Sequence, residues 1–338
     1  MNSAGRPRAW RRLLSLLWVA TWVAACLGTG CKRAQACEPQ PLNQVAPGVW
    51  AWAGQDQELS ASNQGHITTQ VVLQSGTGTW VIDPGPTEAH GQALRVTIAC
   101  QLNTPIAGVW NSHAHAENTL GNQAFLRSGS AIWATPETQA AMRERCPSCL
   151  AHLLETVGPA AIGTSIAIPE RVATLSAKVW QAAPDGPSGW QLRAFKAAHS
   201  ESDTVWWRAQ DRVLIAAGLV YQKRLPELAQ GGLRAWVAAL DALWALKPRV
   251  VIGQMVGNAE DLVNTRRYLC ALQDAVLEAL GRGETASSVS SLPLPEFSDW
   301  AGYASRQGFN TQRAWREIES AWMQGSVQPC AALGDAPN

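Results

Sequence analysis

After about residue 40, the order of hydrophobic and polar positions predicts short strands alternating with helices. Residues 48–52 alternate as a half-buried strand does, and the runs 68–73 and 79–82, joined by the glycine-containing stretch 75–78, predict a β-hairpin. Short apolar runs predict further strands at 106–110, 131–134, 173–180, 190–195, 204–207, 213–216 and 250–252. Helical spacing or clustered helix formers predict helices at 88–100, 136–145, 233–246, 259–280 and near 311–323.

Each half of this pattern has a strand-rich stretch followed by helices. The arrangement favours an α/β (α+β) architecture, an αββα sandwich in which two mixed β-sheets pack face to face with helices outside. We place this domain at residues 41–282 and treat residues 283–338 as a C-terminal extension that carries the last helix. Because many α/β folds share such alternation, the motifs have to decide the fold.

Composition supports a globular chain and argues against one class of partner. The chain has 338 residues, of which 46% are hydrophobic, so a well-buried core is feasible. Its 27 basic and 26 acidic side chains give a net charge of +1. Without a basic excess, the protein has no electrostatic footprint for phosphate backbones, and we expect no nucleic-acid partner.

The N-terminus has the features of an export signal. Four arginines precede an apolar run at 13–25 that is short for a membrane span, which predicts a signal peptide over residues 1–25. Val23-Ala24-Ala25-Cys26 resembles a bacterial lipobox, in which the Cys26 thiol would carry a lipid. Residues 26–40 then form a linker. Both a membrane-anchored lipoprotein and a freely released periplasmic protein remain open.

Eight cysteines fit the oxidising compartment that export predicts. Cys146 and Cys149 have the C-x-x-C spacing, which is typical of a local structural disulfide or of a redox-active pair. No second C-x-x-C accompanies them, so we expect the structural disulfide. The other pairings cannot be read from the sequence.

The most informative segment is the loop 111–122, which follows the predicted strand 106–110. It contains His113 and His115, separated by one residue. Where the backbone turns from a strand into a loop, two such side chains can face the same side and offer two imidazoles to one metal ion.

Several motifs in order resemble the metallo-β-lactamase superfamily over residues 42–280. They are Asp83-Pro84-Gly85, the His113 loop and the segment 198–203 (AHSESD). Within the superfamily, residues 45–50 and 219–226 look most like the exported quinoprotein relay system zinc metallohydrolases. The resemblance implies the metallo-β-lactamase fold and a first metal site formed by His113, His115 and His199.

The same resemblance places the second metal site on residues that bind zinc poorly. Glu117 replaces the aspartate of the histidine loop, and Asn118 replaces the histidine after it. Gly218 stands where the family has its bridging aspartate, and Gln254 stands at the last histidine. Neutral amides are poor zinc ligands and glycine offers none, so we expect one zinc ion and a remnant second site.

Three carboxylates are candidates for roles around the ion. Glu117 could orient the bound water or act as general base, or be a solvated carboxylate. Asp203 could hold the ring of His199, and Asp83 could brace the His113 loop, although both could equally cap their own loops. The remaining histidines, His66, His90 and His152, are expected at the surface.

These observations lead to two main functional hypotheses. The first is an exported mononuclear zinc hydrolase that attacks an ester, thioester or amide-like carbonyl of an unidentified small molecule. The second is a catalytically degenerate accessory protein of a periplasmic quinoprotein dehydrogenase, motivated by the lost second-site ligands. A redox protein based on Cys146 and Cys149 is a third alternative.

Overall fold

The computed structural model describes Met1 and residues 42–76 and 78–333 of the chain. The expected signal peptide, the linker 26–40 and Cys26 therefore lie outside the described residues. Among the residues that are described, no helix is both long and apolar enough to cross a membrane.

Strands with apolar residues on both faces build the first sheet. Its seven strands follow in chain order, the first four pairing antiparallel and β4 to β7 parallel. Val71 and Leu73 face the second sheet, whereas Val72 between them faces the outer helices. The strands are β1 (Asn43–Ala46), β2 (Val49–Trp52), β3 (Gln70–Ser75), β4 (Gly78–Ile82), β5 (Ile106–Trp110), β6 (Ile132–Ala134) and β7 (Arg171–Val172).

The second sheet has six strands in the order β13-β12-β11-β10-β9-β8. Strands β11 and β12 pair in parallel, and the other neighbours pair antiparallel. The strands are β8 (Gln181–Ala182), β9 (Gln191–Lys196), β10 (Ser202–Arg208), β11 (Val213–Ile215), β12 (Val250–Ile252) and β13 (Val256–Gly257).

Tryptophans fill the space between the two sheets. Trp110 meets Trp206 edge-on at 5.7 Å between ring centroids, and Trp80 and Trp190 each lie 6.3 Å from Trp206. All four are buried in one apolar cluster with residues of both sheets. The sheets therefore pack face to face through large rings.

Helices cover both outer faces. Helices α1 and α3 pack on the first sheet, and α5, α6 and α7 pack on the second. This arrangement confirms the predicted αββα sandwich. The helices are α1 (Glu88–Gln101), α2 (Ala116–Thr119), α3 (Asn122–Leu126), α4 (Pro136–Val157), α5 (Leu233–Trp244), α6 (Ala259–Gly281) and α7 (Tyr303–Met323).

The C-terminal residues share the core of the second sheet. Trp315 and Ile318 of α7 and Phe297 before it are fully buried in the cluster that contains α5 and α6. A disulfide between Cys270 of α6 and Cys330 fastens the chain beyond α7. Cys100 is also disulfide-bonded.

The predicted strand at 173–180 is wrong. The two-residue strands β7 and β8 lie on either side of this segment, and no strand forms within it. The hydroxyl of Ser176 accepts hydrogen bonds from the backbone N–H groups of Lys178 and Val179 and turns the chain there. The last helix also begins earlier than predicted, at Tyr303.

Helix α4 runs past its predicted end at residue 145 and continues through Pro147 to Val157. Pro147 removes one backbone donor. The helix nevertheless continues because Met142, Cys146 and Leu153 are buried in the apolar cluster beneath it.

The disulfide expected between Cys146 and Cys149 is not formed, and both are free thiols. In a continuous helix, side chains three residues apart have Cβ atoms about 5–6 Å apart, whereas a disulfide needs about 4 Å. Burial raises the pKa of the Cys146 thiol to about 11. A thiol that resists ionisation is a poor nucleophile, which argues against a redox-active pair.

Candidate metal centre

Loops that follow two strands, β5 and β9, bring His113, His115 and His199 together. The first two histidines lie directly after β5, and His199 lies in the turn between β9 and β10. One ring nitrogen of each lies within 4.8 Å of those of the other two. His113 and His199 are fully buried and His115 is partly buried. The structure thus assembles the three histidines selected from the sequence.

Asp83 and Ser112 fix the ring of His113. The Ser112 backbone N–H and hydroxyl donate to the two carboxylate oxygens of Asp83, at 2.8 and 2.5 Å. Because the Ser112 hydroxyl donates its hydrogen bond to Asp83, its oxygen accepts from Nδ1 of His113 at 2.8 Å. The lone pair of His113 is therefore on Nε2, which is buried and has no hydrogen-bond partner.

Asp203 fixes the ring of His199 in the same way. Its carboxylate accepts from the backbone N–H groups of His199 and Ser200 at 3.0 and 2.9 Å and from the Ser200 hydroxyl at 3.0 Å. It also accepts from Nδ1 of His199 at 3.1 Å. The lone pair of His199 is therefore on Nε2.

Gln230 fixes the ring of His115. Its side-chain oxygen lies 2.8 Å from Nε2 of His115, so the lone pair of that ring is on Nδ1. The loop carrying Gln230 lies very close to the His199 loop, because a Cβ on Gly231 would come within 1.7 Å of the carbonyl oxygen of Ala198. Glycine at this position allows that approach.

Three imidazoles thus each engage one nitrogen in a hydrogen bond and leave the other facing a common point. Burial, together with the neighbouring histidine charges, holds the pKa of His113 and that of His199 well below the usual value, so both rings are neutral and ligand-competent. A buried, unpartnered Nε2 on His113 is costly unless something binds it. A divalent transition metal fits this donor set.

Comparison with known proteins agrees with this site. A family model of the metallo-β-lactamase superfamily matches residues 64–254, which include the three histidines. The chain belongs to the metallo-β-lactamase superfamily. No curated protein matches it.

Solved structures of superfamily proteins share its fold. A metallo-β-lactamase from Hirschia baltica is 19% identical with a TM-score of 0.56, covering 69% of this chain and 98% of its own. One from Pontibacter korlensis is 18% identical with a TM-score of 0.53, covering 68% and 98%. One from Erythrobacter litoralis, with β-mercaptoethanol in its active site, is 16% identical with a TM-score of 0.56, covering 68% and 95%.

The positions of the superfamily's second metal site are buried but hold no cluster of ligands. Asn118 donates to Asp83 at 3.1 Å, and neither polar atom of the Gln254 side chain has a hydrogen-bond partner. A Cβ on Gly218 would lie 2.3 Å from Nδ1 of His199, so no side chain fits there without moving the ring. Within the described ranges, His, Cys, Asp and Glu residues form no second group of three that could hold an ion.

Glu117 lies in the first turn of α2, beside the site. Its Oε1 is 3.8 Å from Nδ1 of His115, and its backbone carbonyl accepts from the Thr68 hydroxyl. Burial alone would raise the pKa of Glu117, but its electrostatic interactions, with His115 foremost, and a backbone hydrogen bond lower that pKa overall. The structure therefore places a carboxylate next to the free nitrogen of His115.

A cleft of about 210 Å³ reaches one of the three clustered histidines, His115. His115 and Glu117 line it together with Cys149, Gln230 and Arg306. Arg306 comes from α7 in the C-terminal extension and pairs with Glu227 and with Glu58 of the β2–β3 loop. The extension thus contributes a side chain to the metallo-β-lactamase-type site.

Several residues around the histidines were not identified from the sequence. Ser112 and Gln230 select the ring tautomers, and the Tyr221 hydroxyl lies 3.3 Å from Nε2 of His199. Trp236 of α5 packs edge-on against His199 at 5.0 Å. Ser112 and Tyr221 had a signal, since they lie in the loop 111–122 and in the stretch 219–226, which both resemble the family.

The other histidines are divided between interior and surface. His152 is exposed, as expected. The expected surface location of His90 is wrong, because its ring stacks on Trp52 at 4.0 Å and its Nε2 lies 2.9 Å from the side-chain oxygen of Gln70. His66 is partly buried beside it, at 4.5 Å between ring centroids.

Proposed function

We propose that this protein is an exported hydrolase that binds one zinc ion on His113, His115 and His199 and cleaves an ester, thioester or amide-like bond in a small molecule. The observation that supports the proposal most directly is the set of three oriented lone pairs, each opposite a hydrogen-bonded nitrogen. When bound there, zinc would supply Lewis-acid activation of water and of a carbonyl oxygen.

The surrounding residues have separate tasks under this proposal. Asp83 and Ser112 orient His113, Asp203 orients His199, and Gln230 orients His115. Glu117 holds its carboxylate beside His115, where Oε1 could accept the proton of the attacking water. The small volume of the cleft favours a substrate that inserts only its reacting group.

A second candidate is an accessory protein of a periplasmic quinoprotein dehydrogenase that has lost catalysis. Gly218 supports it, because the chain offers no side chain where the superfamily has its bridging aspartate. Residues 45–50 and 219–226 resemble the quinoprotein relay system proteins, and this resemblance is the reason for proposing a quinoprotein dehydrogenase as the partner. In this case one metal on the three histidines would have a structural role.

Metal removal distinguishes the two candidates. Protein purified without a metal-affinity tag should contain about one zinc ion per chain, measured by elemental mass spectrometry. Turnover on a panel of esters, thioesters and lactams should disappear after chelation and return with one equivalent of zinc. Turnover that survives removal of the metal, or that needs two equivalents of zinc, would contradict a hydrolase that depends on one zinc ion. Full zinc occupancy without turnover on any member of the panel favours the accessory protein.

Export is proposed from the signal-like residues 1–25, and Cys26 makes a lipid anchor the more specific form of it. In a Gram-negative host, the full-length chain should appear in the envelope with its N-terminus removed. Intact-mass measurement should show a lipid on Cys26 that Cys26→Ser lacks. A full-length, unprocessed chain in the cytoplasmic fraction would contradict export, and a processed, unlipidated chain would identify the released periplasmic form.

A further inference from the structure

We propose that the hydroxyl oxygen of Tyr221 is a fourth protein ligand of the metal held by His113, His115 and His199. The inference rests on the metal-binding part of the proposed function and is independent of whether the protein hydrolyses a substrate. It assigns a role to a buried residue that lies outside the three-histidine motif.

The first observation is the side of the His199 ring that Tyr221 approaches. Its hydroxyl oxygen lies 3.3 Å from Nε2 of His199. Asp203 engages the opposite nitrogen, Nδ1, so Nε2 is the atom that would bind the metal. The phenol oxygen is therefore on the metal-facing side of the ring.

The second observation is the distance itself. In a tetrahedral zinc site with bonds of about 2.0–2.1 Å, neighbouring ligand atoms are about 3.3 Å apart. The separation between the Tyr221 oxygen and Nε2 of His199 matches this edge. This spacing is long for an O–H to nitrogen hydrogen bond and suits two ligand atoms of one ion.

The third observation is that the buried Tyr221 hydroxyl depends on Nε2 of His199, the nitrogen that a metal would occupy. Tyr221 is 3% exposed, and among the described residues its hydroxyl has a hydrogen bond only to Nε2 of His199. A metal on that nitrogen consumes the lone pair that the hydroxyl uses. Because buried tyrosine hydroxyls find a partner, the oxygen then turns to the metal.

The chain around Tyr221 is built to hold it in place. Its backbone N–H donates to the Thr265 hydroxyl of α6 at 2.9 Å, and its ring packs against Trp236 at 6.0 Å. The guanidinium of Arg224 lies 5.5 Å from the centre of the ring and holds the ring through a cation–π contact. Gly218, three residues earlier, leaves the space beside His199 and His113 free of any competing side chain.

The test uses metal-free protein reconstituted with Fe(III) and, separately, with Zn(II). A phenolate bound to Fe(III) gives a visible charge-transfer band, so wild type should be coloured and Tyr221→Phe should not be. The affinity for Zn(II), measured by competition with a chromogenic chelator, should fall at least about 10-fold in Tyr221→Phe, since even outer partners of metal ligands are worth about 10–100-fold.

The matched control is Tyr268→Phe. Tyr268 is also buried, and its hydroxyl donates to Gln307 at 2.9 Å, far along the chain from the histidines. This variant should keep both the band and the Zn(II) affinity, and circular dichroism should show that both variants fold. A colourless Fe(III)-loaded wild type, or a Tyr221→Phe variant with unchanged band or unchanged affinity, would overturn the proposal.

The outcomes separate this inference from the proposed function. If zinc binds and supports turnover while Tyr221→Phe retains the affinity of wild type, the inference fails and the hydrolase stands. If the band is present and lost in Tyr221→Phe, but no substrate is turned over, the ligand assignment stands and the hydrolase fails.

Discussion

Replacing His113 with alanine should abolish metal binding and, with it, the stabilisation that the metal gives to the fold. Nε2 of His113 is the only one of the three free nitrogens that is buried without any hydrogen-bond partner, so it loses most when the ion is absent. A ligand that binds only the folded state stabilises it by about 2.7 kcal/mol at 100 times its dissociation constant. Wild-type protein should therefore melt at a higher temperature with zinc than without, and His113→Ala should show no such shift.

The control for this experiment is His152→Ala. His152 is exposed in the same cleft but is not part of the three-histidine group, so this variant should keep the bound metal and the zinc-dependent rise in melting temperature. His115→Ala provides a second test at a partly exposed position, where a folding defect is less of a concern. If His113→Ala and His115→Ala each retained one equivalent of zinc, the ion would bind elsewhere.

The sequence predicts the layers of this fold well because hydrophobic periodicity reports burial directly. The runs at 68–73 and 79–82 correspond to β3 and β4, which pair antiparallel as the predicted hairpin. The structure adds that residues of β3 alternate between the two cores. Periodicity failed at 173–180, where Ala173 and Leu175 are buried as a strand would bury them but the Ser176 hydroxyl captures the backbone. A local side-chain hydrogen bond decided that segment, and burial alone could not reveal it.

The three clustered histidines could be predicted because a histidine pair after a strand is a local motif, and the third histidine follows in a segment that resembles the family. The residues that orient these histidines could not be predicted from the sequence. Ser112 selects the tautomer of His113 only because Asp83, 29 positions earlier, accepts the hydrogen bond of the Ser112 hydroxyl. Gln230 reaches His115 across 115 positions because Gly231 allows two loops to touch. Such partners are set by tertiary packing, and no spacing rule contains them.

Gly218 connects the two unusual features of the site, the missing second-site ligand and the position of Tyr221. A side chain at residue 218 would occupy the space beside both His199 and His113, at 2.3 Å from one ring and 3.1 Å from the other. With glycine there, both rings pack closely and the Tyr221 hydroxyl reaches Nε2 of His199. We infer that a single metal with a tighter set of ligands replaces the two-metal arrangement of the superfamily.

Gly218→Ala should therefore damage the metal site although it adds only one methyl group. The backbone at Gly218 is not in the left-handed region, so alanine meets no conformational barrier and the effect is steric. The added Cβ would lie 2.3 Å from Nδ1 of His199, a ring with no exposed surface that packs against Trp236 at 5.0 Å. The ring has to move, and its hydrogen bond to Asp203 breaks. We expect Zn(II) affinity to fall by more than about 100-fold, the upper end for loss of an outer-sphere partner.

Gly281→Ala is the matched substitution for this prediction. A Cβ at Gly281, the last residue of α6, meets no atom within 4 Å, so this variant should bind zinc as wild type does and be at least as stable. Chelator competition on the two alanine variants gives the comparison, and nuclear magnetic resonance of the imidazole N–H protons reports the His199 to Asp203 hydrogen bond. Equal zinc affinity in the two variants would show that the His199 ring has room to move. The tight packing around Gly218 would then not support the proposal of a single ion at this site.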